Sequence, residues 1–153
     1  MKYHKLPPDD HIIRYVSWAR LRKDENDNVI GVLGEAFRRR PDENALSATW
    51  LEYFSGSRQK QVTSSVRAIR ASKLCPRPKS GFAIGNVDAI SKACLQRKQR
   101  VRIIHEPEED NKAHASVRRI TRDDLELLEI LATEAWAELV LNSSIPEGSK
   151  SAP

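Results

Sequence analysis

Two histidines, His105 and His114, flank a short acidic stretch, Glu106-Pro107-Glu108-Glu109-Asp110-Asn111-Lys112. Imidazoles beside carboxylates favour their charged form, so both can trade protons near neutrality. Metal-independent cleavage of RNA needs one group to take the 2′-hydroxyl proton and another to protonate the leaving oxygen. His114 and His105 are the candidates for those roles. Arg14, Arg118 and Arg102 are the candidates for neutralising the phosphate. The same side chains admit a metal site, with Asp110 or a glutamate joining the two histidines. They also admit a third role, in which His114 binds a nucleotide or ribose without catalysis.

The elements that must position these residues are strands. Val101–His105 and 113–120 alternate apolar and polar residues, and the loop between them is longer than the usual hairpin connection. Matching apolar to apolar places His105 in the core-facing row with Val101 and Ile103. It places His114 on the opposite face with Ser116 and Arg118, so the imidazoles meet only if a bulge shifts the register.

Arg14 lies in a strand read over residues 11–21, in line with Ile12, Val16 and Trp18. An arginine there must be paired, must snorkel or must meet an anionic ligand. The turn cluster Asp24-Glu25-Asn26-Asp27-Asn28 then leads to a partner strand over 29–38. Arg38-Arg39-Arg40 closes that unit. Residues 45–54 are predicted helical, because Leu46, Trp50 and Phe54 recur every four residues, although Ser47 and Thr49 also suit a strand. The order of Arg14, Ser47 and His114 is similar to that of small ADP-ribosyl-transfer folds. These place an Arg or His on an early strand, a Ser or Thr mid-chain and an acid or His late. The likeness is one of order alone, and no role is taken from it.

Residues 58–74 form an amphipathic helix with Val62, Val66 and Ile69 inward. Its Arg58, Lys60, Arg67 and Arg70 make it the candidate nucleic-acid surface. Phe82-Ala83-Ile84 is a short strand, and Asn86 caps a helix over 87–97. That strand–glycine–helix passage can hold an anion on free backbone N–H groups, though one glycine without a lysine is a faint motif. Thr121 and Asp124 form a capping box for a long helix over 122–141, lying across the sheet.

The expected fold is therefore α+β. A mixed, largely antiparallel sheet drawn from residues around 11–20, 29–38, 82–84, 100–105 and 113–120 is covered by about three helices. A chain of 153 residues is read as a single domain over 1–141, with a flexible C-terminal tail over 142–153. Nothing resembles a membrane span or secretory signal. Cys75 and Cys94 are too few for a disulfide framework, which suits reduced thiols in the cytoplasm. No phosphate-loop, dinucleotide, zinc-finger or nucleophile-elbow motif is present, so no cofactor and no metal are expected.

The net charge of +5 favours a polyanionic partner. The leading expectation is a small cytoplasmic protein engaging RNA or nucleotide phosphate, as a metal-independent phosphodiester-cleaving hydrolase. The alternative is a non-catalytic adaptor or antitoxin-like module that contacts a protein partner through the acidic 106–110 loop and the basic 58–74 helix. Oligomeric state is not legible.

Overall fold

The structure, a computed structural model, describes residues 3–147. Its frame is a seven-stranded sheet plus a separate two-stranded ribbon, with three α-helices, which makes the protein α+β. In chain order the strands are β1 (His4–Lys5), β2 (His11–Val16), β3 (Leu21–Lys23), β4 (Val29–Val32), β5 (Ala45–Trp50), β6 (Gly81–Asn86), β7 (Arg102–His105), β8 (His114–Arg118) and β9 (Glu138–Leu141). The helices are α1 (Arg58–Ala71), α2 (Val87–Gln96) and α3 (Leu125–Ile130). Strand order in the sheet is β1-β7-β8-β5-β2-β6-β9, and every pairing is antiparallel.

The sheet buries both faces. On one, Ile12, Val16, Leu46, Ala48, Ala115 and Val117 pack beneath α2 and α3, with Phe37 and Trp136 stacked at 5.0 Å. On the other, Ile13, Phe82 and Ile84 pack against Val62, Val66 and Ile69 of α1. This alternation along each strand is the period-2 pattern of a sheet covered on both sides.

Pairing between β2 and β5 is abnormally short. Only Ile12↔Trp50 and Ile13↔Thr49 are partners, whereas β2 pairs β6 over six residues and β5 pairs β8 over five. Beyond Ile13 the two strands diverge, and the sheet opens into two halves.

Three expected elements differ. Residues 45–50 are a strand, not the start of a helix: in β5, Leu46 and Ala48 face the core while Ser47 is exposed. The strand read over 29–38 ends at Val32 and pairs only with β3, outside the main sheet, before a 3-10 turn at Gly34–Phe37. The C-terminal helix does pack on the core through Leu127, Leu128 and Leu131, but its bounds are tighter than 122–141. Asp124, rather than Thr121, is its N-cap, accepting from Leu127 N at 3.1 Å. The helix widens at Leu131–Ala135, where Trp136 N donates five residues back to Leu131 O, and ends before edge strand β9. The reason is steric. Trp136 fills the core beside Gly85, where an added Cβ would lie 3.0 Å from the indole, and the chain must turn away.

Residues 142–146 are held rather than loose. Arg70 donates to Asn142 Oδ1 (2.7 Å), Ile145 O (2.8 Å) and Pro146 O (3.0 Å), and Asn142 is buried. The remainder of the expected tail, 148–153, lies outside the described residues. Among the described residues no helix is long and apolar enough to cross a membrane.

Candidate functional site

The divergence of β2 from β5 opens a cleft of about 1290 Å³. Arg14, Ser47, Glu106, Glu108 and His114 all line it. A strand that loses its neighbour leaves carbonyls without ladder partners, and buried carbonyls must be satisfied. Arg14 does this across the opening: its Nη1 donates to Ser47 O (2.6 Å) and its Nε to Ala36 O (2.9 Å). Carbonyls hold the guanidinium in place but do not cancel its charge. No carboxylate oxygen lies within 4 Å of it among the described residues. Burial and the neighbouring Arg20 draw its pKa down to about 10. The Glu43 carboxylate works the other way, and the guanidinium remains protonated at neutral pH.

His114 lines the same cleft from β8, on the sheet face opposite to that of the Ile12–Arg14–Val16 row. The register Ile103↔Val117, Ile104↔Ser116, His105↔Ala115 gives the two histidines opposite faces, as the apolar pattern predicts. His114 is buried, with only 7% of its surface exposed. Its Nδ1 lies 2.8 Å from Glu106 O and its Nε2 3.2 Å from Ser47 Oγ. A carbonyl only accepts, so Nδ1 carries the proton in the neutral ring. Nε2 is then left to accept from the Ser47 hydroxyl. Such a fixed tautomer, with its lone pair turned to a hydroxyl in an open cleft, is the geometry of a proton acceptor.

His105 does not join it. Its ring stacks on Trp50 (5.0 Å) and Tyr53 (5.5 Å), and its Nε2 donates to Lys112 O at 2.8 Å. Those contacts are at the core-face edge, and His105 does not line the cleft. The joint two-histidine site is therefore not assembled.

The carboxylates of the loop are unequal. Glu106 accepts from Ser116 Oγ (2.7 Å) and from Arg118. Burial alone would raise its pKa, but the Ser116 and Arg118 hydrogen bonds outweigh it and hold the carboxyl below its usual range. Arg118 is thereby paired with Glu106, while its Nε is buried without a partner among the described residues. Asp110 accepts from Lys73 N at 3.1 Å, tying the loop to the end of α1. Asn111 is buried, donating to Thr49 Oγ1 (2.9 Å) and accepting from Ala113 N (3.1 Å), so the loop keeps one shape. Glu108 and the exposed Glu109 have no hydrogen-bond donor on their carboxylates among the described residues; Glu108 Oε1 lies 3.7 Å from His114 Nε2.

The other predicted residues fall elsewhere. Arg102 is exposed on β7, away from the cleft. On α1, Arg58 pairs with Glu138 (3.0 Å) and Arg70 staples residues 142–146, while Lys60 and Arg67 are exposed. Four basic side chains do not make one free surface there. The N-terminus of α2 is likewise occupied: Val87, Asp88 and Ala89 donate to Asp10 O, Pro8 O and Asn86 Oδ1. The cations that do line the cleft include Arg20, Arg39, Arg40 and Arg119. Arg39 is fixed by Ile120 O (2.9 Å) and Glu43 O (2.6 Å). The Arg38-Arg39-Arg40 run, read from the sequence as a strand end, was the available signal for this wall.

Among the described residues no group of three or more His, Cys, Asp or Glu side chains is placed to hold a metal ion. The cleft thus brings together a guanidinium, a histidine beside a hydroxyl, and two carboxylates, Glu106 and Glu108, 3.9 Å and 3.7 Å from the ring nitrogens of that histidine. Comparison with protein families, characterised proteins and solved structures returns no match.

Proposed function

We propose that the cleft binds the phosphate of a nucleotide or of RNA, and that His114 performs metal-independent acid/base chemistry on it. The observation that carries this reading is the meeting of Arg14 and His114 at one residue. Arg14 binds the backbone carbonyl of Ser47 and His114 its hydroxyl. An anion entering the cleft gains the Arg14 guanidinium, and a charge-assisted contact is the strong kind of hydrogen bond. A ribose hydroxyl arriving beside Ser47 meets the imidazole lone pair.

The step that follows is balanced without a cofactor. His114 Nε2 takes the 2′-hydroxyl proton, O2′ attacks phosphorus, and the bond from phosphorus to the 5′-oxygen breaks. That oxygen takes a proton from water at the open mouth, the hydroxide so formed takes back the proton held by His114, and a 2′,3′-cyclic phosphate and a 5′-hydroxyl remain. Arg14 stabilises the added charge on the phosphoryl oxygens.

The test is incubation of end-labelled RNA with the protein in excess chelator, beside His114→Ala. Cyclic-phosphate ends that form with the parent protein and not with the variant support the reading. Identical products from both remove His114 from the chemistry. An intact RNA that also fails to shift in a gel removes nucleic acid altogether.

A further inference from the structure

The cleft has a direction. Its long axis follows β5, whose register sets Ala45 opposite Arg118 and Thr49 opposite His114. Arg39, Arg40 and Arg119 lie beyond the Ala45 end, and Glu108 and Asp110 lie beyond the Thr49 end, while the Glu106 carboxylate lies between, on Ser116 and Arg118. Asp42 and Glu43 sit among the arginines and temper that wall. Between the ends are Arg14, Ser47 and His114. A ligand lying along this axis puts phosphate toward the arginines and ribose over Ser47 and His114. What remains, the base, meets the carboxylate end.

Of the three loop carboxylates that line the cleft, two accept hydrogen bonds within the protein: Glu106 from Ser116 and Arg118, Asp110 from Lys73 N. Glu108 accepts none among the described residues, its nearest basic partner being His114 Nε2 at 3.7 Å. Its backbone is pinned on both sides, N donating to Asn111 O (3.0 Å) and O accepting from Asn111 N (3.2 Å), so its side chain projects from a fixed point. An ionised carboxylate has two acceptor oxygens and no donor. It matches an edge with two adjacent N–H donors. Among the common bases only guanine offers that, at N1 and N2; unpaired bases are read along such edges. The lining holds a single tyrosine, Tyr15, and no tryptophan or phenylalanine, so it lacks the aromatic faces on which a cationic ring is recognised.

We infer that the cleft is selective for guanosine, with Glu108 reading the N1–H and N2–H edge of the base whose 3′-phosphate lies at Arg14. This rests on the proposed nucleotide reading and specifies its substrate class.

The experiment is calorimetric titration of the full chain with 3′-GMP, 3′-AMP, 3′-CMP, 3′-UMP and nicotinamide mononucleotide. It is repeated with Glu108→Gln and Glu108→Asp after a melting curve confirms each fold. The carboxamide of Gln presents one N–H to guanine's two donors, whereas Asp keeps the charge and both acceptors. The inference expects 3′-GMP to bind at least about tenfold more tightly than the other three 3′-nucleotides, the loss of one charged hydrogen bond. Glu108→Gln should collapse that preference, and Glu108→Asp should weaken binding while keeping it. Equal binding of all four 3′-nucleotides overturns the guanosine assignment and leaves the phosphate reading standing. So does a preference that survives Glu108→Gln. Tightest binding of nicotinamide mononucleotide overturns it in favour of recognition by charge. Binding of none removes the phosphate reading and the inference with it.

Discussion

His114 and Ser47 are diagonal neighbours across two antiparallel strands. The Cα partner of His114 is Thr49, yet the imidazole leans two residues along β5 to put Nε2 3.2 Å from Ser47 Oγ. Diagonal pairs of this kind are within reach of long side chains. The lean is fixed from the other side by the bond between Nδ1 and Glu106 O. If this pair carries the chemistry, His114→Ala lowers the cleavage rate by roughly 10²–10⁴-fold, the usual worth of a positioned acid/base group. Ser47→Ala should cost less, because a ligand hydroxyl can take the place of Oγ. Single-turnover rates on one RNA distinguish the two.

Arg14→Gln should act on binding. Losing a charged hydrogen bond to phosphate costs on the order of 10–100-fold in affinity. The same substitution removes the strut between Ala36 O and Ser47 O, so its melting temperature should fall as well. Arg14→Lys separates these effects. It restores charge without the planar fork, and should recover part of the affinity but little of the stability.

Glu106 links stability to pH. Its carboxyl is held below the ordinary 4.5 in the folded chain. A depressed folded pKa contributes stability that is present above the unfolded value and lost as pH falls through the folded one. Arg118→Gln removes a main cause. The stability gap between parent and variant should be full above about pH 4.5 and close below it. Urea unfolding at pH 3 and pH 7 reads this; a gap unchanged at pH 3 would assign the Arg118 effect to packing.

The thiols should behave as a pair of opposites. Cys75 is exposed, and Cys94 is buried with its pKa pushed up to about 11 by desolvation. A thiolate is the reactive form. Aromatic disulfide reagent at pH 8 should therefore label one thiol per chain promptly and the second only after denaturant is added.

Much of this arrangement was legible in the residues. The alternation of Val101, Ile103 and His105 against Ala113, Ala115 and Val117 predicts the register of β7 with β8 and the separation of the histidines. The line of Ile12, Arg14 and Val16 predicts an arginine among core residues in need of a partner. What was hidden is β5. Leu46, Trp50 and Phe54 fall at helical spacing by coincidence, since Trp50 ends the strand against Asp10 and Phe54 belongs to the turn after it. With β5 misread, Ser47 had no face and no neighbour. The 122–141 helix was overextended for a related reason. Ala135 and Leu139 keep the spacing, but the volume of Trp136 against Gly85 is a tertiary constraint that no local period records.

The two-pair seam between β2 and β5 has a consequence for how the molecule breathes. A sheet continuous across seven strands opens as one unit, and its central amides exchange with deuterium only through global unfolding. Here the ladder is nearly cut at its middle, so the β1-β7-β8-β5 and β2-β6-β9 halves are joined by few cross-strand bonds. Amides on β6 opposite β2, deep in the ladder, should exchange slowest, and those of β5 that face the gap should exchange fastest among the central strands. The part of the sheet that holds the candidate chemistry is then also the part that should open first.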